Sequence, residues 1–183
     1  MSLFYISVTI CRDPTTTLKM NIRLATLIDL PAINEIYNQA VRKRFCTADL
    51  EEISIKEREK WFTAHNPNKH PVFVFEENNE ILGWMCYSSY RQGRRALQTA
   101  VEVSYYLHEN HQDKGIGSLL MDFAIKQAPK YNIKHLFAIL LEPNIASIKL
   151  LEKYGFERWA CLPNIANIDG KWCSHVYYGR EVN

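Results

Sequence analysis

The sequence predicts a mixed α/β domain built around one central sheet, and three observations carry the prediction. Runs with strand periodicity alternate along the chain with runs whose apolar residues recur every three or four positions. The stretches "PVFVFEE" and "EILGWMCYSSY" read as two antiparallel strands joined at Asn78-Asn79. A Gly-x-Gly turn, Gly115-Ile116-Gly117, stands between a strand and a helix. At 183 residues, with 47% apolar and 23% charged content, the chain suffices for one sizeable core and is short for two.

Each element follows from a local signal. Phe4, Ile6, Val8 and Ile10 alternate with Leu3, Tyr5, Ser7 and Thr9, so residues 1–19 read as an N-terminal extension that adds a strand. No basic residue precedes its apolar part, which argues against a signal peptide. Met20 opens a single domain over residues 20–183, beginning with the short strand "NIRLAT". Asp29 with Pro31 behind it starts a helix whose Leu30, Ile33, Ile36, Tyr37 and Ala40 share a face. Ser54 and Glu57 form a capping-box pattern ahead of "IKEREKWFTAH". After the hairpin, a polar loop "RQGRRALQ" leads to the strand "TAVEVSYYL". The helix beyond the glycines puts Ile116, Leu119, Leu120, Phe123 and Ala124 on one side. "HLFAILL" is a buried strand, "NIASIKLLEKYGF" a helix stopped by Gly155, and "KWCSHVYYGREV" a final strand.

Composition narrows the function. A net charge of +2 is too small for nucleic acid as the main partner, and no apolar run reaches the roughly 18 residues of a membrane span. Five scattered cysteines without a C-x-x-C pair suit a reducing cytoplasm and no disulfide framework. The six histidines show no ligand spacing either, so no metal is expected.

Two glycines a residue apart are costly where a helix begins, about 1 kcal/mol each relative to alanine inside one. Their use there is chemical: the first N–H groups of a helix lack internal partners, its dipole favours negative charge, and glycine lets the backbone close on a phosphate. A Walker loop would need G-x-x-x-x-G-K-[ST], which is absent. A dinucleotide fingerprint would need a third glycine at Leu120 and an acid about 20 residues on, where Lys134 and His135 stand. The diphosphate arm of coenzyme A needs neither; a glycine-tolerant loop without a ligand is the plain alternative.

"Q-D-K-G-I-G" resembles the Q/R-x-x-G-x-G/A motif of the GNAT superfamily of N-acetyltransferases. Asn144 with "ASIKLLEKYGF" is similar to that superfamily's N-x-x-S/A…L-Y-E-K-x-G-F segment, in the right order and about 30 residues further on. The resemblance runs from Met20 to near the C-terminus. "IYNQAV", "TAVEVSYYL" and "GKW" resemble in part the phosphinothricin and methionine sulfoximine acetyltransferase branch, whose strand reads T-V-E-x-S-V-Y-V. The resemblance implies a GNAT fold, with a central mixed, mostly antiparallel sheet flanked by helices. It also implies acetyl transfer from acetyl-CoA to the α-amine of a small amino-acid-like substrate, with a homodimer compatible.

An ammonium must lose its proton before it can attack a thioester. Glu102, between Val101 and Val103, is the candidate general base, since apolar surroundings make a carboxylate more basic; the other reading is a solvent-facing residue of an alternating strand. The resemblance assigns Glu102 this role, through water. It assigns Tyr105, Tyr106 and Leu107 to the acetyl and pantetheine portion, and Asp113, Lys114, Gly115, Ile116, Gly117 and Ser118 to the diphosphate. Asn144 goes to the pantetheine arm or bound water, a role compatible with that of a plain helix cap. Arg91 and Arg95, in the loop before Glu102, suit an acceptor carboxylate or phosphinate, with a solvated basic loop as the alternative. Phe45 and Trp61 read as pocket wall or aromatic core, and His175 as a substituted contact or a structural residue. One departure stands out: the superfamily carries tyrosine, and the branch histidine or tyrosine, where this chain has Leu151, so the donor to the leaving thiolate is missing there. Acetylation of protein N-termini or polyamines, and a non-catalytic acyl-CoA-binding module, are the rival functions; the basic loop argues against polyamines.

Overall fold

The computed structural model describes residues 6–7 and 20–182. Its strands are β1 (Ile6–Ser7), β2 (Met20–Leu24), β3 (Val72–Glu77), β4 (Glu80–Ser89), β5 (Ala100–Leu107), β6 (His135–Leu141), β7 (Glu157–Ile168) and β8 (Lys171–Glu181). Its longer helices are α1 (Leu30–Arg42), α2 (Ile55–Ala64), α3 (Ile116–Gln127) and α4 (Ile145–Lys153). The strands form one sheet in the order β1-β2-β3-β4-β5-β6-β8-β7, antiparallel throughout except where β5 meets β6. Ile6 and Ser7 pair with Ile22 and Asn21 of β2; the rest of the 1–19 extension, and with it the alternation of Phe4, Val8 and Ile10, lies outside the described residues.

Strand alternation divides the core into two layers. Val72, Val74, Trp84 and Cys86 turn to one face, where Leu30, Ile33 and Ile36 of α1 pack on them. Phe73, Phe75, Met85, Tyr87, Val101 and Val103 turn to the other, against Leu120, Met121 and Ala124 of α3 and Leu151 of α4. The β3–β4 hairpin closes through Asn78 (φ 52°) and Asn79 (φ 67°), both left-handed, as a tight two-residue hairpin favours. Ser54 and Glu57 make the reciprocal cap of α2: the Ser54 Oγ accepts from Glu57 N at 3.3 Å and Ser54 N donates to Glu57 Oε2 at 3.0 Å.

One feature differs from the sequence-based expectation. Residues 157–168, read as no element, form the edge strand β7. Pro163 breaks the strand pattern there, and an edge strand is where a proline's missing N–H is tolerated. The register with β8 shifts between Leu162 and Ala166, around that proline. The final strand stands where the sequence put it, as β8, and it inserts between β6 and β7.

The feature that positions the site is a parting of strands. β5 and β6 run parallel and pair only from Ala100 to Glu102 against His135 to Phe137. Beyond that, β5 keeps its partner β4 out to Leu107–Gly83, while β6 keeps β8 out to Leu141–His175. The two central strands therefore diverge from Glu102 onward, and the gap cannot be closed by backbone pairing.

Candidate active site

A cavity of about 410 Å³ lies in that gap. Its walls are β5 from Glu102 to Leu107, the middle of β6, the turn leading into α3, the first two turns of α4, and the end of α1. Of the residues singled out from sequence, Glu102, Tyr105, Tyr106, Leu107, Asp113, Gly115, Gly117, Ser118 and Asn144 all line it. Four others do not. Lys114 is exposed, and Ile116 is a core residue at 4% exposure, so any part they take in the site runs through their backbone. Arg91 and Arg95 are exposed on the loop before β5, outside the wall. Phe45 lines the cavity, whereas Trp61 stacks on Trp84 (centroids 5.5 Å apart) in the α1–α2 core. His175 sits opposite Leu141 in the sheet, away from the cavity.

The two glycines have different reasons. Gly115 caps α3 with φ +85°, after Asp113 at φ 59°, and a Cβ there would meet nothing within 4 Å. Glycine is required for the backbone angle, and the space in front of it is open. Gly117 lies inside the helix, where a Cβ would come to 3.1 Å from Leu150 Cδ2 and 3.5 Å from Leu107 Cδ1. It lets α3 approach α4 and β5 closely. No side chain caps α3, so its first N–H groups face the cavity end without a partner on their own helix. α4 begins at the same cavity, but Asn144 caps it, with Oδ1 accepting from Ser147 N at 3.3 Å. The uncapped helix is the one suited to an anion.

Sequence reasoning missed the contribution of α1. Gln39, Lys43 and Cys46 line the cavity, Gln39 at 4% exposure. The Gln39 Oε1 accepts from Glu109 N at 2.9 Å, and Lys43 Nζ donates to Gln112 Oε1 at 3.0 Å, tying the end of α1 to the turn before α3. The available signal was a polar residue, Gln39, three positions after Ile36 on the apolar stripe.

Glu102 is half-buried beside Ser88 of β4, on the face that carries Ser104 and Tyr106. Burial pushes its carboxyl above the usual glutamate value, and the Ser104 hydroxyl, 3.4 Å from Oε1, offsets part of the rise. It makes no ion pair among the described residues, so no cation there holds it in the charged form. Tyr106, wedged between Tyr37 (4.9 Å) and Trp84 (4.7 Å), is raised well above an ordinary phenol by burial. The Tyr105 phenol is pushed up to about 12 by burial, which the nearby Ser147 hydroxyl partly opposes. Leu151 is fully buried in the α4 wall, and Tyr154 is engaged elsewhere, its hydroxyl donating to Ser118 O at 2.8 Å. Among the described residues no group of three or more His, Cys, Asp or Glu side chains is placed to hold a metal ion, and no helix is long and apolar enough to cross a membrane.

An uncapped helix start at one end of a cleft between diverging strands, and an unpaired carboxylate at the other, define a site for a long anionic cofactor meeting a basic group. Comparison with known proteins agrees. Residues 22–177 match the acetyltransferase (GNAT) domain family. YwnH of Bacillus subtilis strain 168, which carries a provisional phosphinothricin acetyltransferase name, is 38% identical over 90% of this chain and 100% of its own. The L-methionine sulfoximine/L-methionine sulfone acetyltransferase of Salmonella typhimurium is 32% identical over 90% of this chain and 95% of its own. The crystal structure of a Sinorhizobium meliloti phosphinothricin acetyltransferase with AcCoA superposes with a TM-score of 0.84 at 25% identity, over 92% of this chain and 90% of that one. The chain belongs to the GNAT acetyltransferase family, and it is an acetyl-CoA-dependent N-acetyltransferase.

Proposed function

We propose that the protein transfers acetyl directly from acetyl-CoA to the α-amine of a small amino-acid analogue, of the phosphinothricin, methionine sulfoximine or methionine sulfone type, with Glu102 as general base. The observation that carries this reading is Glu102 itself: a carboxylate of raised basicity, without an ion-pair partner among the described residues, in the wall of the cofactor cavity. The names of the Salmonella and Sinorhizobium relatives support the acceptor class.

In this reading the diphosphate rests on the N–H groups of Ile116, Gly117 and Ser118, with Gly115 turning the backbone toward it and Asp113 and Lys114 in the same turn. The pantetheine arm follows β5 past Leu107, Tyr106 and Tyr105, with Asn144 across the gap, and brings the thioester to Glu102. The acceptor's ammonium gives its proton to Glu102 through water; the free amine then forms the C–N bond while the C–S bond breaks, and the thiolate departs with the electron pair. No metal takes part. Arg91 and Arg95 are the candidates for the acceptor's anionic group. Their loop is anchored by Tyr90, which stacks edge-on against Phe137 at 4.7 Å, and Phe137 is the β6 partner of Glu102. The active form is proposed to be a cytoplasmic homodimer. Support for the dimer is β7, whose free edge carries exposed Trp159, Leu162 and Ile165, beside exposed Trp172 of β8.

The test is thiol release from acetyl-CoA in the presence of methionine sulfone, methionine sulfoximine, phosphinothricin, polyamines and short peptides. Turnover on the first three, lost in Glu102→Gln while acetyl-CoA still binds, is the expected result. Turnover confined to polyamines or peptides overturns the acceptor class. Tight acetyl-CoA binding with no turnover at all would mean a binding module.

A further inference from the structure

A base that accepts the acceptor's proton must lose it before the next ammonium arrives. Ser88 stands directly opposite Glu102 in the β4–β5 pairing, on the face that also carries Cys86 and Ser104. Residues opposite one another on antiparallel strands have Cβ atoms about 4.5–5.5 Å apart, and one water molecule spans such a separation between their oxygens. The Ser88 hydroxyl lies 3.4 Å from Nε2 of His65, the residue that caps the C-terminus of α2. Glu102, Ser88 and His65 thus form a row from the cavity wall to the half-buried end of a helix.

The hydrogen bonds of this row have a fixed direction. His65 Nδ1 lies 2.8 Å from Trp61 O, and a carbonyl only accepts, so Nδ1 carries the hydrogen. The neutral ring then offers a bare Nε2, and the Ser88 O–H donates to it. That spends the one hydrogen of the hydroxyl, and the Ser88 oxygen accepts in turn, from the Cys86 thiol at 3.9 Å and from the Glu102 side. Burial pushes that thiol up to about 12, so it stays protonated. Burial also holds His65 below its ordinary 6.5; the bond to Trp61 O opposes this, and the nearby Arg58 cation adds to it. His70, the neighbouring histidine, is itself lowered by burial and by His65 and Lys69. Glu102 moves up from its ordinary 4.5 while His65 moves down, so the two draw together and a proton passes between them more evenly. The C-terminus of α2 favours the imidazolium that forms in passing.

We propose that Ser88 and His65 carry the proton away from Glu102 at the end of each turnover, acting on the base and not on the substrate. This rests on the base assignment above. The protonated Glu102 gives its proton, through one water, to the Ser88 oxygen, as the Ser88 O–H passes its own to His65 Nε2. Glu102 returns to the carboxylate, Ser88 remains a neutral hydroxyl, and His65 becomes an imidazolium. A solvent water or buffer base then takes a proton from the imidazolium and restores the bare Nε2. Nothing is oxidised or reduced, and the net change is one proton moved from the acceptor's ammonium to solvent. The route leaves the cavity on the α2 side of the sheet, so it stays open while cofactor and acceptor fill the space in front of Glu102.

His65→Gln keeps an N–H for Trp61 O and removes the basic nitrogen, and Ser88→Ala removes one oxygen; thermal unfolding checks that both fold. The readout is steady-state kcat with acetyl-CoA and the acceptor of the panel above that turns over fastest, in dilute buffer and with added imidazole. In dilute buffer kcat of each variant should fall about tenfold, with KM for acetyl-CoA within about twofold of native. The double variant should be no slower than the slower single one, since both cut one path. Added imidazole should return His65→Gln toward the native rate and leave native kcat unchanged, a response that a packing role does not produce. Ser88→Thr keeps the hydroxyl and should lose less than Ser88→Ala. Native kcat in His65→Gln in dilute buffer, or a loss that imidazole does not relieve, overturns the proposal. Glu102→Gln separates the two readings. If it is inactive while the His65 and Ser88 variants run at the native rate, the relay alone fails; if it keeps native activity, the base assignment and the relay fail together.

Discussion

Replacing each cavity glycine by alanine separates two physical roles that the sequence writes identically. At Gly115 the φ of +85° is the constraint, since an added Cβ meets nothing within 4 Å. An L-residue in the left-handed region costs about 1–2 kcal/mol, and for a chain of this size each kcal/mol shifts Tm by about 2–4 °C. Gly115→Ala should therefore lower the ligand-free Tm by about 2–8 °C, and Gly115→Asn, which tolerates that region, should recover part of it. At Gly117 the signs oppose. Alanine gains about 1 kcal/mol of helix propensity, while its Cβ, 3.1 Å from Leu150 Cδ2, displaces a flexible side-chain tip by tenths of an ångström. Ligand-free stability should stay within about 1 kcal/mol of native, since these terms nearly cancel. The displaced Leu150 and its neighbour Leu107 both line the cavity, so acetyl-CoA binding should weaken by several-fold. Circular-dichroism melts without ligand, and calorimetric titration with acetyl-CoA, measure the two effects separately. A Gly117→Ala protein that melts as early as Gly115→Ala and binds acetyl-CoA natively would refute the reasoning, because Gly117 would then serve core packing alone.

Glu102→Gln should abolish most activity yet raise stability at pH 7. Burial lifts the folded carboxyl above its ordinary 4.5, so folding favours the protonated form and native stability declines as pH rises from the unfolded toward the folded value. The gain in Tm should vanish below pH 4.5, and a variant less stable than native at pH 7 would contradict the assignment. Asp29 titrates the other way. Burial raises it, but two hydrogen bonds from Arg23 (2.7 and 2.8 Å) and those from Thr26 outweigh that and hold it below its ordinary 3.8. Its contribution is complete above pH 3.8 and lost as pH falls through the lower folded value. Asp29→Asn should thus cost about 3 kcal/mol in urea unfolding at pH 7, a difference that shrinks steadily in acid. Asn144→Ala removes the cap of α4 and should cost about 1 kcal/mol, restored by Asn144→Ser; full retention of stability in the alanine variant would mean that Ser147 N finds another partner.

The elements that were legible in the sequence are those whose signals are local. Asp29 with Pro31, Ser54 with Glu57, and Asn78-Asn79 each mark a boundary by side-chain or backbone chemistry within four residues, and α1, α2 and the β3–β4 hairpin stand where those marks put them. β7 was overlooked because Pro163 interrupts its alternation, although Asp169 and Gly170, both left-handed at φ 50° and 84°, spell a hairpin turn between it and β8. The insertion of β8 between β6 and β7 leaves no local trace, because strand order follows from which faces are buried after the sheet assembles.

The site divides along the same line. Gly115, Gly117 and Asn144 are readable because a helix start has a composition of its own, and Glu102 because a carboxylate between valines is conspicuous. What turns these residues into one site is the point at which β6 leaves β5, and that is a tertiary event: pairing ends at Glu102–Phe137, so every residue from Val103 to Leu107 gains an unpaired flank at once. The same divergence explains why neighbours in the chain part company. Lys114 and Ile116 alternate with Gly115 and Gly117 around the start of α3, and only the glycines turn toward the gap. It also brings in Gln39 and Lys43, to which the sequence reading gave no role, because the end of α1 forms part of the wall where the two strands separate. A residue's part in this site is thus decided by where it stands relative to the parting of β5 and β6: Glu102 at the last paired position, and Val103 to Leu107 along the flank that β6 leaves open.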